Sequence, residues 1–257
     1  MTSPPQAVYR QIADQIRAAI LGGEYQPGGE LPGEAALADR YGVSTVTVNR
    51  AIVLLRQEGL VLASRGHRAT VRPIPVILRS AMLRYKRSER EANGNRGAFD
   101  AEIRRLGMTP RSEVFPMQTV APDAVCDALR CPEGSIVMAR RREMFADDTP
   151  VQLATSYIPI DIGMQCALDL RDTGPGGMLS RLAAQGYEEV RFEETVTPSR
   201  RADPAEMGFL GLAEDQFVSE IFHVGYTRTD QPVEVCVHVV PAYQWRFRYE
   251  WMVEDPV

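Results

Sequence analysis

The stretch from Gly42 to Val61 constrains the fold of this chain most strongly, because it carries the complete signal of one capped helix. Its apolar residues recur at steps of three and four, which predicts one buried helical stripe made of Val48, Ala51, Ile52, Leu54 and Leu55. Ser44 stands in the N-cap position before this helix, and Gly59 supplies a left-handed stop after it. The sequence therefore predicts an amphipathic helix with a defined start and end.

The exposed start of the same helix is polar, and its side chains are Ser44, Thr45, Thr47, Asn49 and Arg50. Short hydroxyl, amide and guanidinium groups at a helix N-terminus are suited to contacts with base edges and phosphates. The preceding residues 36–42, ALADRYG, predict a second helix that ends at its glycine. Two helices joined by a glycine-containing turn are typical of a helix-turn-helix.

A short basic hairpin is predicted directly after the helix. Residues 60–62 and 69–71 are apolar and strand-like, and the sequence between them places Arg65, Gly66 and His67 at the tip. Such a hairpin beside a recognition helix is typical of a wing that contacts DNA. The alternative is an ordinary helix pair followed by an ordinary hairpin, but the cap, stripe, stop and basic tip together favour the DNA-binding interpretation.

Residues 9–71 closely resemble the winged helix-turn-helix of GntR-type bacterial transcription regulators. The resemblance is carried by Pro27-Gly28, Leu31-Pro32, Tyr41-Gly42-Val43-Ser44 and Glu58-Gly59-Leu60. Three positions at which this family often has arginine differ here, namely Ala35, Thr45 and Asn49. The resemblance therefore implies operator binding with a different base preference, and Asn49 is a candidate for recognising adenine.

Charge is distributed unevenly along the 257 residues. Residues 1–72 hold eight Arg and six acidic residues, residues 73–112 hold nine basic and four acidic residues, and residues 113–257 hold 12 basic and 24 acidic residues. A basic front and an acidic rear are typical of a protein that touches DNA at one end only, although the whole chain has a net charge of −5.

Composition predicts a globular cytoplasmic protein without membrane contact, because the chain has 44% hydrophobic residues, no apolar run near the ~18 residues of a spanning helix and no export signal. The four cysteines, at 126, 131, 166 and 236, do not have metal-ligand spacing. We therefore expect free thiols, no metal and no cofactor.

Three regions follow from these patterns: a winged helix-turn-helix over residues 1–72, a linker over 73–99 and an effector-binding and dimerisation domain over 100–257. The linker contains two prolines, a basic cluster at 84–90 and an Asn/Gly-rich patch. The cluster could add phosphate contacts, but a solvated loop is the favoured interpretation. In the last region strands alternate with helices, which predicts an α+β fold.

A sequence motif that occurs twice supports a mainly antiparallel sheet in that region. The sequence Asp148-Thr149-Pro150-Val151 is followed by Pro159, and Asp230-Gln231-Pro232-Val233 is followed by Pro241. In each case a turn opens a strand of equal length that a proline closes. Two matching hairpins predict an antiparallel sheet with a cavity between its halves.

Residues 100–251 resemble the UTRA effector-binding domain of HutC-type GntR regulators. Three ordered motifs carry this resemblance, at residues 139–159, 176–187 and 228–249. It implies a ligand-sensing domain of chorismate-lyase-like fold that dimerises, with effector-binding residues Arg140, Arg142, Ser156 and Glu234. Ala154 and Val240 depart from the sugar-phosphate-sensing members, which argues against that class of effector.

The same residues form a coherent pattern on predicted strands. Arg140 and Arg142 share one strand face, as do Glu234, Cys236 and His238, whereas valines fill the opposite face of the second strand. Paired arginines suit an anionic small-molecule effector, and an ordinary half-buried strand is the competing interpretation. Cys236 and His238 lack a third partner for a metal site.

These observations predict a ligand-responsive transcription regulator that represses by binding an inverted-repeat operator as a homodimer. The alternative is a chorismate-lyase-like enzyme domain with an accessory DNA-binding module. The absence of a nucleophile–base pair or metal motif in the sequence argues against an enzyme. A non-specific architectural DNA-binding protein is disfavoured by the large acidic rear.

Overall fold

The computed structural model describes residues 7–62, 68–85, 97–174 and 176–251, and the chain forms two compact units that divide between Val76 and Ile77. The described part of the first unit contains three helices and one short two-stranded sheet. These elements are α1 (Val8–Leu21), α2 (Glu34–Tyr41), α3 (Thr45–Gln57), β1 (Val61–Leu62) and β2 (Thr70–Val71).

One apolar core holds the first unit together. Four residues of the predicted α3 stripe, Val48, Ala51, Ile52 and Leu55, are buried, and Leu54 is half-buried against the same core. Facing side chains from α1 and α2 complete the core, among them Ile12, Ile16 and Leu37. Complete burial of each large aliphatic side chain contributes about 1.5–3 kcal/mol, so this core fixes which face of α3 remains exposed.

The ends of α3 form as the sequence predicts. The Ser44 Oγ accepts a hydrogen bond from the backbone N–H of Thr47 at 3.2 Å, and Gly59 has a φ of 74°. After the helix, β1 and β2 pair antiparallel, with Val61 opposite Val71. The predicted wing tip at Arg65, Gly66 and His67 lies outside the described residues.

The second unit is built on a six-stranded antiparallel sheet, which confirms the predicted α+β class. Its strands are β4 (Pro110–Val120), β5 (Ile136–Ala146), β6 (Thr149–Pro159), β7 (Arg191–Arg201), β8 (Phe217–Tyr226) and β9 (Pro232–Pro241). They follow the order β4-β5-β6-β9-β8-β7 across the sheet. The hairpins β5–β6 and β8–β9 carry the two copies of the repeated motif, and they meet where β6 pairs with β9.

Short helices cover both faces of this sheet. The described helices of the second unit are α4 (Ala81–Tyr85), α5 (Ala98–Arg104), α6 (Asp123–Leu129), α7 (Ile160–Gln165), α8 (Gly177–Ala184) and α9 (Pro204–Leu210). On the valine-rich face of the sheet, α6 and α9 pack against residues such as Val235 and Val239. On the opposite face, α7 and α8 pack against Met138 and Ile158.

Val233 departs from the predicted alternation along β9. It packs with Met138 and Ile158 rather than with the other valines. The reason is a register shift in the β8–β9 ladder between Gly225 and Tyr226, because an extra residue on one strand changes the side to which the next side chain points.

The segment predicted as a linker over 73–99 contains ordered elements of the second unit. Residues Ile77–Ser80 form β3, which pairs in parallel with β10 (Trp245–Arg248), and α4 follows directly. The partner strand lies near the other end of the chain, so nothing local in the sequence reveals this pairing. Residues 77–85 of the predicted linker thus lie in ordered elements, and residues 86–96 lie outside the described part.

Two further expectations can be compared with the described residues. All four cysteines are free thiols, as predicted. No helix in the described part of the chain is both long enough and apolar enough to cross a bilayer.

A candidate DNA-binding surface and a candidate ligand cleft

The start of α3 presents a cluster of polar side chains on the surface of the first unit. Burial of Val48 and Ala51 sets the rotation of the helix, so its polar face points outward. Of the predicted contact residues, Thr47 is half-buried and the others that lie in the described part are exposed, namely Ser44, Thr45, Asn49 and Arg50. Five of the eight predicted DNA-contacting residues therefore lie close together, within residues 44–50 at the start of α3.

Asn49 has a partner that sequence reasoning missed. Its Nδ2 donates a hydrogen bond to the Glu34 Oε1 at 3.0 Å, which links the start of α3 to the first turn of α2. Both side chains are exposed, so a base edge could replace Glu34 at small cost, since a typical hydrogen bond contributes about 0.5–1.5 kcal/mol net. No local signal pairs Glu34 with Asn49, because the contact depends on how the two helices cross.

Arg50 differs in its contacts from other arginines of the first unit. Arg17 pairs with Glu58 at 2.7 Å, and Arg68 pairs with Glu30 at 3.3 Å. Within the described part of the chain, Arg50 makes no hydrogen bond or ion pair and its side chain is exposed. Its charge is therefore available to a phosphate or a base edge.

The second unit contains a cleft of about 800 Å³ on the polar face of its sheet. Alternate residues of β5 and β9 point into it because successive strand side chains point to opposite faces. Opposite these strands, the cleft is walled by residues 171–174 and the start of α8. Its strand-borne lining includes Arg140, Arg142, His223, Glu234, Cys236 and His238.

Strand register places the predicted effector residues next to one another. Arg140 lies opposite Ser156, Ser156 opposite Cys236, and Cys236 opposite His223, in one row across four strands. Arg140, Arg142 and Glu234 line the cleft. Ser156 does not line it; its Oγ accepts a hydrogen bond from the Arg142 Nη2 at 2.7 Å and so supports that side chain.

Arg140 holds the wall of the cleft. It is only 4% exposed, and it donates hydrogen bonds to the carbonyl oxygens of Leu168, Leu170 at 2.6 Å and Arg171 at 3.1 Å. Burial, together with the nearby Arg142 and Arg181 charges, lowers the pKa of Arg140 to about 10, so it remains charged at neutral pH. Its guanidinium is thus engaged with backbone in this structure.

Arg142 also faces the cleft, and its guanidinium has hydrogen-bonding capacity left. Its Nη2 also lies 3.1 Å from the Cys236 Sγ, and its buried Nε has no hydrogen-bond partner in the described part of the chain. Burial raises the pKa of the Cys236 thiol to about 11, so the sulfur stays protonated at neutral pH.

Glu234 and His238 complete the polar lining from β9. Glu234 is 4% exposed, and among the described residues no donor makes a hydrogen bond to its carboxylate. The His238 Nδ1 lies 3.1 Å from the Gln152 Nε2. Burial, helped by the charges of Arg79, Arg84 and Arg142, lowers the pKa of His238 well below 6.5, so the ring is neutral.

Among the described residues that line the cleft, Arg142 is a cation with hydrogen-bonding capacity left, Glu234 is a carboxylate acceptor and His238 is a neutral ring. This set matches a small molecule that has an anionic group and also hydrogen-bond donors. Within the described residues, no three His, Cys, Asp or Glu side chains are grouped so that they could hold a metal ion.

Comparison with known proteins assigns a family to each unit. The model of bacterial regulatory proteins of the gntR family matches residues 8–71, and that of the UTRA domain matches residues 105–245. An HTH-type transcriptional regulator of Streptomyces coelicolor is 31% identical over 260 residues, which cover 98% of this chain and 96% of the relative.

Two further similarities extend the comparison. The HTH-type transcriptional repressor NagR of Bacillus subtilis is 28% identical over 159 residues, which cover 62% of this chain and 60% of that protein. The crystal structure of PhnF from Mycobacterium smegmatis superimposes with a TM-score of 0.58 over 96% of this chain and 100% of that one, at 18% identity, so the two share a fold.

Proposed function

We propose a mechanism of regulation for this chain, which belongs to the GntR family of bacterial regulatory proteins. The chain is a ligand-responsive DNA-binding transcription regulator. The first unit binds double-stranded operator DNA, and the second unit binds the small molecule that controls this binding. The exposed polar start of α3, set on a rigid apolar core, is the observation that carries the proposal.

The start of α3 enters the major groove in this proposal. Asn49 exchanges Glu34 for a base edge, and Arg50 contacts a phosphate or a base. The hydroxyl groups of Ser44, Thr45 and Thr47 contribute further polar contacts. The predicted wing residues Arg65, Gly66 and His67, which lie outside the described part, reach the adjacent backbone or groove.

The proposed active form is a homodimer that binds an inverted repeat. Two recognition helices related by a twofold axis match half-sites about one helical turn apart, roughly 34–36 Å. Repression is the proposed outcome, and it is supported by the relative NagR, which is named a repressor. A ligand that prefers one dimer geometry shifts the population toward it, to the extent of its differential affinity.

The proposed effector places an anionic group on Arg142 and hydrogen-bond donors on Glu234, and Ser156 and Arg140 hold these contacts in place. We propose binding without catalysis, in the cytoplasm where operator DNA is found. Two physical properties of the cleft support binding alone: the Cys236 thiol is protonated, so it is a poor nucleophile, and Gln152 already engages the neutral His238 ring.

Selection of genomic fragments on the purified full-length protein tests the proposal. We expect enriched fragments that share an inverted repeat, strong loss of enrichment with Arg50→Ala, and little change with Gln11→Ala on α1. Absence of any shared sequence among the captured fragments would overturn operator recognition. Turnover of a small aromatic acid by a protein that captures no DNA would support the enzyme alternative.

A further inference from the structure

The segment that follows the first unit, residues 77–85, begins the second unit and includes one strand of a small two-stranded sheet. The first unit ends at Val76, and β3 begins at the next residue, Ile77. β3 is tied to β10 by parallel pairing, and α4 continues the segment to Tyr85. Because the chain is continuous here, any change in the position of residues 77–85 acts on the point from which the first unit emerges.

A buried ion pair fastens this segment to the edge of the six-stranded sheet. Arg79 on β3 is 1% exposed and the Glu194 side chain on β7 is 8% exposed. The Arg79 Nη1 donates to the Glu194 Oε2 at 2.9 Å, and the Nη2 donates to Oε1, so the contact is bidentate. A buried pair of this kind depends strongly on both partners, since removal of one leaves an uncompensated charge in the interior.

Glu194 also connects to the cleft. The His223 Nδ1 lies 3.6 Å from the Glu194 Oε1, and His223 lines the cleft. On the adjacent strand, Cys236 lies opposite His223 and contacts Arg142. The side chains of Arg79, Glu194 and His223 therefore lie next to one another, from the segment after the first unit to the lining of the cleft.

A second buried ion pair also joins the same segment to the rest of the second unit. Arg84 on α4 lines the cleft and forms a buried ion pair with Glu102 on α5. Both arginines of the segment are thus paired with buried carboxylates of the second unit. A ligand with an anionic group competes with Glu102 for Arg84, and a ligand that bonds to His223 alters the electrostatic environment of Glu194.

We propose that Arg79, Glu194 and His223 form the route by which occupancy of the cleft reaches the DNA-binding unit. This inference rests on the proposed function and specifies the regulation of the same site. A ligand contact at His223 changes the hold of Glu194 on Arg79, and so shifts β3 between two positions that favour different operator affinities. Coupling between two sites of this kind typically changes affinity by about 5–150-fold.

A double-mutant cycle tests the route without knowledge of the ligand. Operator affinity of the full-length protein is measured for His223→Phe in two backgrounds, the natural sequence and Arg79→Met/Glu194→Met. The paired Met substitution removes both buried charges while it retains apolar bulk, so folding is expected to survive. We expect His223→Phe to change operator affinity by about fivefold or more in the first background and by less than about twofold in the second.

Controls separate the route from general damage to the fold. Glu220→Gln lies on the same strand as His223 but pairs with Arg200, so we expect unchanged operator affinity. Affinity for a scrambled duplex should stay constant across the cycle, and thermal unfolding should show that every variant is folded at the temperature of the binding assay. If the double Met variant does not fold, Arg79→Gln/Glu194→Gln, which also removes both charges, replaces it as the second background.

The outcomes are distinct. The same effect of His223→Phe in both backgrounds, or no effect in either, would overturn the route while leaving operator binding intact. A natural protein that binds no operator in the same assay would instead refute the proposed function, and the route would fall with it.

Discussion

The two candidate sites of this protein differ in how firmly their side chains are held. At the start of α3, Asn49 and Arg50 are both exposed; in the described part of the chain Asn49 makes one side-chain hydrogen bond, to Glu34, and Arg50 makes none. In the cleft, Arg140 is almost fully buried and bonded to three carbonyl oxygens. The candidate DNA-binding side chains can therefore exchange partners, whereas the wall of the cleft is held in place by its own side chains.

This difference leads to different expected costs of mutation. A substitution at the start of α3 should change which DNA is bound and leave the fold intact. A substitution of a wall residue in the cleft should first lower the stability of the second unit. Four experiments test whether the contrast holds.

Arg140→Ala should have the largest effect. It removes the donor from three carbonyl groups and leaves a cavity, so we expect a loss of about 2–4 kcal/mol in the unfolding free energy of the second unit. Arg141→Ala is the matched control: it lies on the other face of the same strand with its side chain 41% exposed, and its pair with Glu143 should contribute less than about 1 kcal/mol. Equal losses in denaturant titrations of the two variants would break the comparison.

Asn49→Ala should relax base preference at one operator position by about 1–3 kcal/mol, because a bidentate contact to a base is lost there. Its thermal midpoint should match that of the natural protein, since the side chain is exposed. Binding to a randomised operator library measures the preference at every position. Gln57→Ala in the last turn of α3 serves as the control, and unchanged discrimination by the Asn49 variant would contradict its role.

The pH dependence of stability should differ between the units. The folded pKa of His238 is depressed below its usual 6.5, so the unfolded chain binds a proton first as the pH falls. The stabilisation present above pH 6.5 is therefore lost below it, at about 1.4 kcal/mol per pH unit, until the folded pKa is reached. Denaturant titrations should show that His238→Gln flattens this slope and that His67→Gln retains it. A slope identical in all three proteins would contradict the assignment.

Ser44→Ala should have the smallest effect, a loss of about 1 kcal/mol from the first unit, because the N–H of Thr47 loses its cap. Thr45→Ala is the nearest control, since its side chain is exposed and does not cap the helix. Thermal unfolding of the first unit measures both variants. A Thr45 variant as unstable as the Ser44 variant would show that the cap is not the cause.

The sequence predicts most of the first unit because its signals are local. Ser44, Gly59 and the α3 stripe lie within one helix, and each acts on near neighbours. The Asp203 and Glu206 capping box of α9 in the second unit is equally local, and its reciprocal hydrogen bonds measure 2.8 and 2.9 Å. Because these interactions join residues that are close in the sequence, they can be predicted without a structure.

Long-range contacts account for what could not be predicted. The resemblance to UTRA domains directs attention to Arg140, but its carbonyl partners come from a loop that follows a separate strand and helix. The pairing of β3 with β10 joins segments from opposite ends of the second unit. The bond between Asn49 and Glu34 depends on the crossing of two helices. In each case the partner is selected by tertiary packing.

The most direct test of the account compares the affinity of the full-length protein for its selected operator with that for a scrambled duplex over a range of salt concentrations. The account predicts that the operator is bound at least ~10³-fold more tightly, and that both affinities fall as salt rises because phosphate contacts release counterions. Equal affinity for both duplexes, or binding to neither at low salt, would contradict it.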